Sequence, residues 1–119
     1  VYEEAFADVP ELRLQKTPEY CHHSRHLYVM RVVPERLTIS RDQFIEELKA
    51  RNIGVSVHFI ALHTMSAYRN RFGYKPEDFP KAYAFSESEI SLPMYSTLGV
   101  KNAEYVADAV LDIVKKYKK

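Results

Sequence analysis

Apolar positions near the end of the chain recur at helical spacing, with Val106, Val110, Ile113, Val114 and Tyr117 following i, i+4, i+7, i+8 and i+11. That stripe predicts an amphipathic helix with Gly99 and Asn102 as candidate caps, and the closing KKYKK places cations where the helix dipole favours them. A second helix is predicted after Ser40. Ser40 and Gln43 match a capping box, Phe44, Ile45 and Leu48 share one face, and Asn52 and Gly54 supply the stop. Strand signals lie between. The run RHLYVMRVV, residues 25–33, is dense in β-branched and aromatic residues until Pro34 ends it. Val55, Val57 and Phe59 then alternate with Ser56 and His58 at the period of two of a pleated segment, so His58 is predicted to point away from its apolar neighbours. Residues 90–92, closed by Pro93, read as a further strand.

The remaining signals are shorter. Thr64 is a candidate cap for a helix through Tyr68 to Arg71 that ends at Gly73, and Asp78 with Pro80 resembles the start of a helix over KAYAFSESE. Residues 1–20 hold no sustained period and carry Pro10 and Pro18; they predict a short helical turn and a brief extended piece at 12–14, and read as a linker into a domain formed by residues 21–119. The pattern as a whole predicts an α/β fold: a two-layer sandwich, with a small, mostly antiparallel sheet of three or four strands and helices on one face. Apolar residues are expected on both sheet faces, so the uncovered face implies a partner surface, either another domain or a second subunit.

Composition narrows the function classes. The chain has 119 residues, 46% of them apolar, enough for one core, and a formal net charge of +1 with both signs interspersed gives no bias toward nucleic acid. Cys21 is the single cysteine, no signal-peptide pattern opens the sequence, and no apolar run approaches the roughly 20 residues of a membrane span. These features fit a soluble protein of the reducing cytoplasm. The three glycines, at 54, 73 and 99, leave no glycine-rich phosphate loop.

Candidate chemistry concentrates in SVHFIALHTMSAYRNRFGY, where His58 and His63 precede Tyr68, Phe72 and Tyr74. Imidazoles titrate near neutrality, so two of them at a strand end could move a proton or hydrogen-bond an anionic substrate, against the plainer reading that they are structural. Cys21, His22, His23 and His26 resemble a zinc set, but adjacent histidines point in different directions and a fourth convergent ligand is lacking, so no metal site is expected. A Schiff-base lysine must be tuned by burial or neighbours, and no lysine here lies in an apolar context. No catalytic residue is therefore expected within the chain.

Together, HLYVMRV, SRDQFIEELKARNIGVSVHF, ALHTMSAYRNRFGYKPEDFPKAYAFSESEISLPMY and NAEYVADAVLDIV resemble the C-terminal region of the DegT/DnrJ/EryC1/StrS aminotransferases, over about residues 20 to 117. The order of the pieces makes the resemblance specific: His-aromatic-x-x-Leu-His, Tyr-Arg-x-x-Phe-Gly-Tyr, Asp-Phe-Pro, Ser-Glu and Ser-Leu-Pro. Ala61 departs from a common proline and Gly99 from a common threonine. The resemblance implies a fold-type-I enzyme that uses pyridoxal phosphate to transfer an amino group, usually from glutamate, to a keto sugar nucleotide. It also implies a homodimer with active sites between large and small domains. It places His58 and His63 at the mouth of the active site, and Tyr68 and Phe72 along the sugar or nucleotide pocket. The lysine and the cofactor site belong to a large domain N-terminal to this chain, so no cofactor is expected on the chain itself. Two alternatives stay open: a free-standing module that binds nucleotide sugars or regulates a partner, and a purely structural dimerisation domain. The choice of sugar, ketone position and donor rests on loops outside this chain.

Overall fold

The computed structural model describes all residues, 1–119. Its frame is a three-stranded antiparallel sheet in the order β1 (Leu12–Leu14), β2 (Tyr28–Val32), β3 (Glu89–Leu92). Leu12 pairs with Val32, Leu14 with Met30, Met30 with Ile90 and Tyr28 with Leu92. This register sends those apolar side chains to one face and Arg13, Val29, Arg31, Glu89 and Ser91 to the other. Helices α1 (Tyr2–Phe6), α2 (Arg41–Lys49) and α5 (Val100–Tyr117) cover the apolar face, packing Phe6, Phe44, Leu48, Val110 and Ile113 against Met30 and Ile90 in a single core. Two further helices, α3 (Ser66–Phe72) and α4 (Pro80–Ser86), lie in the long connection to β3.

The capping box of α2 forms in full: Gln43 N–H donates to Ser40 Oγ at 3.2 Å and Ser40 N–H to Gln43 Oε1 at 2.9 Å. Residues 1–20 carry more packing than a linker needs. Tyr2 and Phe6 of α1 and Leu12 of β1 are buried in the core.

Three expectations are corrected. The second sheet face is mainly polar, because the residues alternating with the core positions are Arg13, Arg31, Glu89 and Ser91; Arg31 stacks over the Phe85 ring at 5.0 Å. Residues 55–59 form one bridge instead of a strand. Ser56 exchanges both backbone hydrogen bonds with Ser91, at 3.3 and 2.8 Å. The ladder would next join His58 to Glu89, but Arg41 Nη1 donates to the Glu89 carbonyl at 3.0 Å and the His58 N–H donates to the Glu89 side chain at 2.8 Å. With both groups taken, pairing stops, and Phe59 turns out to water with 71% exposure. Thr64 does not cap α3: it lies in a short 3₁₀ turn, Leu62–Thr64, and its hydroxyl donates to the Ala61 carbonyl at 2.7 Å.

Candidate functional site

The site is built from the polar face of β3 and the segment that crosses it. Glu89 is 0% exposed. A buried carboxylate is tolerated when its oxygens are bonded, and here Oε2 accepts the His58 N–H at 2.8 Å while Oε1 accepts the Ser91 hydroxyl at 2.6 Å. The second distance is that of a charge-assisted O–H···O⁻ bond. Ser91 Oγ lies 2.9 Å from His58 Nδ1. His58 is thereby held by main chain and ring alike. It is half-buried, and Nε2, with no partner in the chain, is not sealed from the surface.

His63 sits differently. It is 6% exposed, its ring lies 4.9 Å from that of Phe79 and 6.5 Å from that of Tyr83, and its Nε2 is buried without a partner. Leaving such a nitrogen unpaired costs roughly 1–3 kcal/mol, so packing against the two rings holds it there. Tyr68 and Phe72 project from α3 with ring centroids 6.3 Å apart. Phe72 stacks on Tyr74 at 5.4 Å, and Tyr74 meets Phe79 edge-on at 5.3 Å. The structure thus joins His63, Phe79, Tyr74, Phe72 and Tyr68 in one row of rings, with His58 at a separate anchor on β3.

This row is open on its outer side. Helix α3 buries none of its residues, and Phe59, Ile60, Leu62 and Phe72 are each more than half exposed. Apolar side chains gathered in this way mark a surface made to be covered. Five hollows of about 250 to 540 Å³ lie elsewhere on the chain, and none is lined by His58, His63, Tyr68 or Phe72. His58 and the ring row thus lie outside these five hollows.

The residues present do not fit a Schiff base with pyridoxal phosphate, since every lysine of the chain is exposed. In the candidate zinc cluster, Cys21 is exposed and His23 uses both ring nitrogens locally, Nε2 at 2.8 Å from Gln15 Nε2 and Nδ1 accepting the Arg25 N–H at 2.9 Å. Sequence reasoning missed Glu89 and Ser91. Their signal was the polar-apolar alternation of Glu89, Ile90, Ser91 and Leu92, which predicts two polar side chains on one face of a buried strand.

Known proteins resemble this chain in sequence and in fold. The profile of the DegT/DnrJ/EryC1/StrS aminotransferase family matches residues 1–111. MJ1066 of Methanocaldococcus jannaschii is 43% identical over all of the chain, which spans 29% of that protein. The spore coat polysaccharide biosynthesis protein SpsC of Bacillus subtilis is 38% identical over 96% of the chain and 30% of its own length. Among solved structures, Spr1654 from Streptococcus pneumoniae, named as a sugar aminotransferase and solved in its PMP-form, superposes with a TM-score of 0.86 at 33% identity, over 97% of the chain and 28% of its own. The same protein is also solved in a PLP-form. The chain thus spans about three-tenths of the length of the curated relatives it matches.

Proposed function

The chain belongs to the DegT/DnrJ/EryC1/StrS aminotransferase family, and on that premise we propose that it is the C-terminal part of an aminotransferase acting on a keto sugar nucleotide, with glutamate as amino donor. In this reading the chain supplies substrate contacts from His58, Tyr68 and Phe72, with His63 packed behind them among the rings, and is inactive alone. The rest of the polypeptide brings the lysine and the cofactor. Pyridoxal phosphate, when bound there, supplies the electron sink for amino transfer. The active protein is a cytoplasmic homodimer. The observation that carries the reading is the row of rings on α3, a helix that buries nothing within the chain and leaves Tyr68 and Phe72 exposed for an opposing wall.

Steady-state kinetics of the full-length protein test it. Turnover of glutamate with a panel of keto nucleotide sugars is expected, and Tyr68→Ala is expected to raise KM for the sugar nucleotide about tenfold, the equivalent of about 1.4 kcal/mol, with kcat little changed. Absence of turnover with every keto nucleotide sugar, or a Tyr68→Ala variant with unaltered KM, counts against the proposal.

A further inference from the structure

The bonds around Glu89 have a direction, and that direction sets the chemistry of His58. An ionised carboxylate only accepts hydrogen bonds. Its Oε2 takes the His58 N–H at 2.8 Å and its Oε1 takes the Ser91 hydroxyl proton at 2.6 Å. Ser91 has one hydroxyl proton, so what its oxygen still offers is lone pairs. The 2.9 Å contact between Ser91 Oγ and His58 Nδ1 then requires the proton to sit on Nδ1. A neutral imidazole carries a single N–H, and the tautomer is set by the bond the other nitrogen makes. The remaining nitrogen, Nε2, keeps its lone pair and reaches the surface.

We propose that Glu89 is a positioning residue that acts through Ser91 to hold His58 in the Nδ1–H tautomer, leaving Nε2 as an outward hydrogen-bond acceptor. The group this acceptor suits is a donor, such as a sugar hydroxyl. That identification of the donor rests on the function proposed above, whereas the role of Glu89 does not. Glu89 is 0% exposed and gives one oxygen to the His58 N–H and the other to Ser91, whose hydroxyl oxygen in turn meets the His58 ring, so both bonds lead to His58 and not to solvent.

The arrangement predicts its own reversal. In Glu89→Gln the backbone N–H of His58 is still a donor, so the amide oxygen must face it and the amide NH₂ must face Ser91. Ser91 then accepts from Gln and turns its proton toward Nδ1, and the imidazole proton moves to Nε2. One atom changed in a buried side chain would exchange an acceptor for a donor at the surface.

Nitrogen-proton correlation spectra of the ¹⁵N-labelled chain, taken at about pH 8 where a free imidazole is neutral, read the tautomer directly. His58 is assigned by the signals lost in His58→Gln. The expected result is a protonated Nδ1 and a bare Nε2 at His58, reversed in Glu89→Gln while the other histidines keep their signals. A His58 found as Nε2–H, or averaged between the two forms, overturns the proposal. So does an unchanged Nδ1–H state in a folded Glu89→Gln chain. Should that variant not fold, Ser91→Ala removes a single oxygen and is expected to release His58 into an averaged state; a pure Nδ1–H signal there overturns the proposal equally. None of these spectra needs a substrate, so a failed tautomer test counts against Glu89 alone and failed turnover counts against the proposed function alone.

Discussion

Gly99 enters α5 at φ 70° and ψ 155°, a region that residues with a side chain occupy only under strain. No heavy atom lies within 4 Å of where its Cβ would stand, so the cost of a side chain there is conformational and not steric. Gly99→Thr is expected to lower the unfolding free energy by about 1–3 kcal/mol. A lowered urea midpoint with an unchanged slope checks this; an unmoved midpoint would mean that the loop accepts another conformation. Gly99 as a cap was legible in the sequence, but its positive φ was not, since glycine adopts either hand. Glu89 shows the converse limit. A glutamate in a short polar-apolar alternation reads as solvent-facing, and only the approach of the His58 N–H and the Ser91 hydroxyl makes its burial affordable. His58 and His63, five residues apart, look equivalent on the page of the sequence; packing separates them into a bonded ring on β3 and a ring sealed among aromatics.

Between elements, Glu47 ties α2 to the end of α5. Its carboxylate accepts from Tyr117 Oη at 2.6 Å and Lys116 Nζ at 3.1 Å, and from Arg51 Nη1 at 2.8 Å. These bonds, Tyr117 first, then Arg51 and Lys116, hold the carboxyl down from its ordinary 4.5 to about 2. A depressed folded-state value stabilises the fold above the unfolded value and ceases to do so as pH falls through the folded one. The contribution of Glu47 is therefore complete above about pH 4.5 and is lost between there and about pH 2. Glu47→Gln should be less stable than the parent near neutrality and should lose less on acidification across that interval, as read from urea midpoints at a series of pH values; parallel curves for the two proteins would sink this account. The helices themselves were legible because their signals are local: the Ser40 and Gln43 cap, and the stripe through Val106 and Val110. The shorter pieces were not. Whether residues 55–59 extend the sheet depends on Arg41, far along the chain, taking the Glu89 carbonyl, and periodicity within the segment carries no trace of that competitor.

At the scale of the molecule, the chain divides into a core that completes itself and an arm that does not. Helices α1, α2 and α5 close over the sheet, whereas α3 contributes nothing to that core. This division was partly legible: an unmet surface was expected, but it was assigned to the sheet's second face, where the alternating residues prove to be charged and polar. The unmet surface lies instead along the rings of residues 59–79, because aromatic residues in a short amphipathic stretch are indistinguishable from core positions until their neighbours are known. The consequence is a gradient of local stability. A helix of 7 residues is too short to persist on its own backbone bonds, and α3 has no buried side chain to hold it, while α5 buries Val110 and Ile113 completely. Hydrogen exchange of the isolated chain should therefore show amides of residues 66–72 exchanging near the rate of an open chain, and those in the middle of α5 exchanging only through global unfolding. In the full-length protein, where the opposing wall is proposed to cover the ring row, the same α3 amides should slow by at least about tenfold, which corresponds to about 1.4 kcal/mol of added protection. Equal protection of α3 and α5 in the isolated chain would show that the arm is self-supporting and that its exposed rings await no partner.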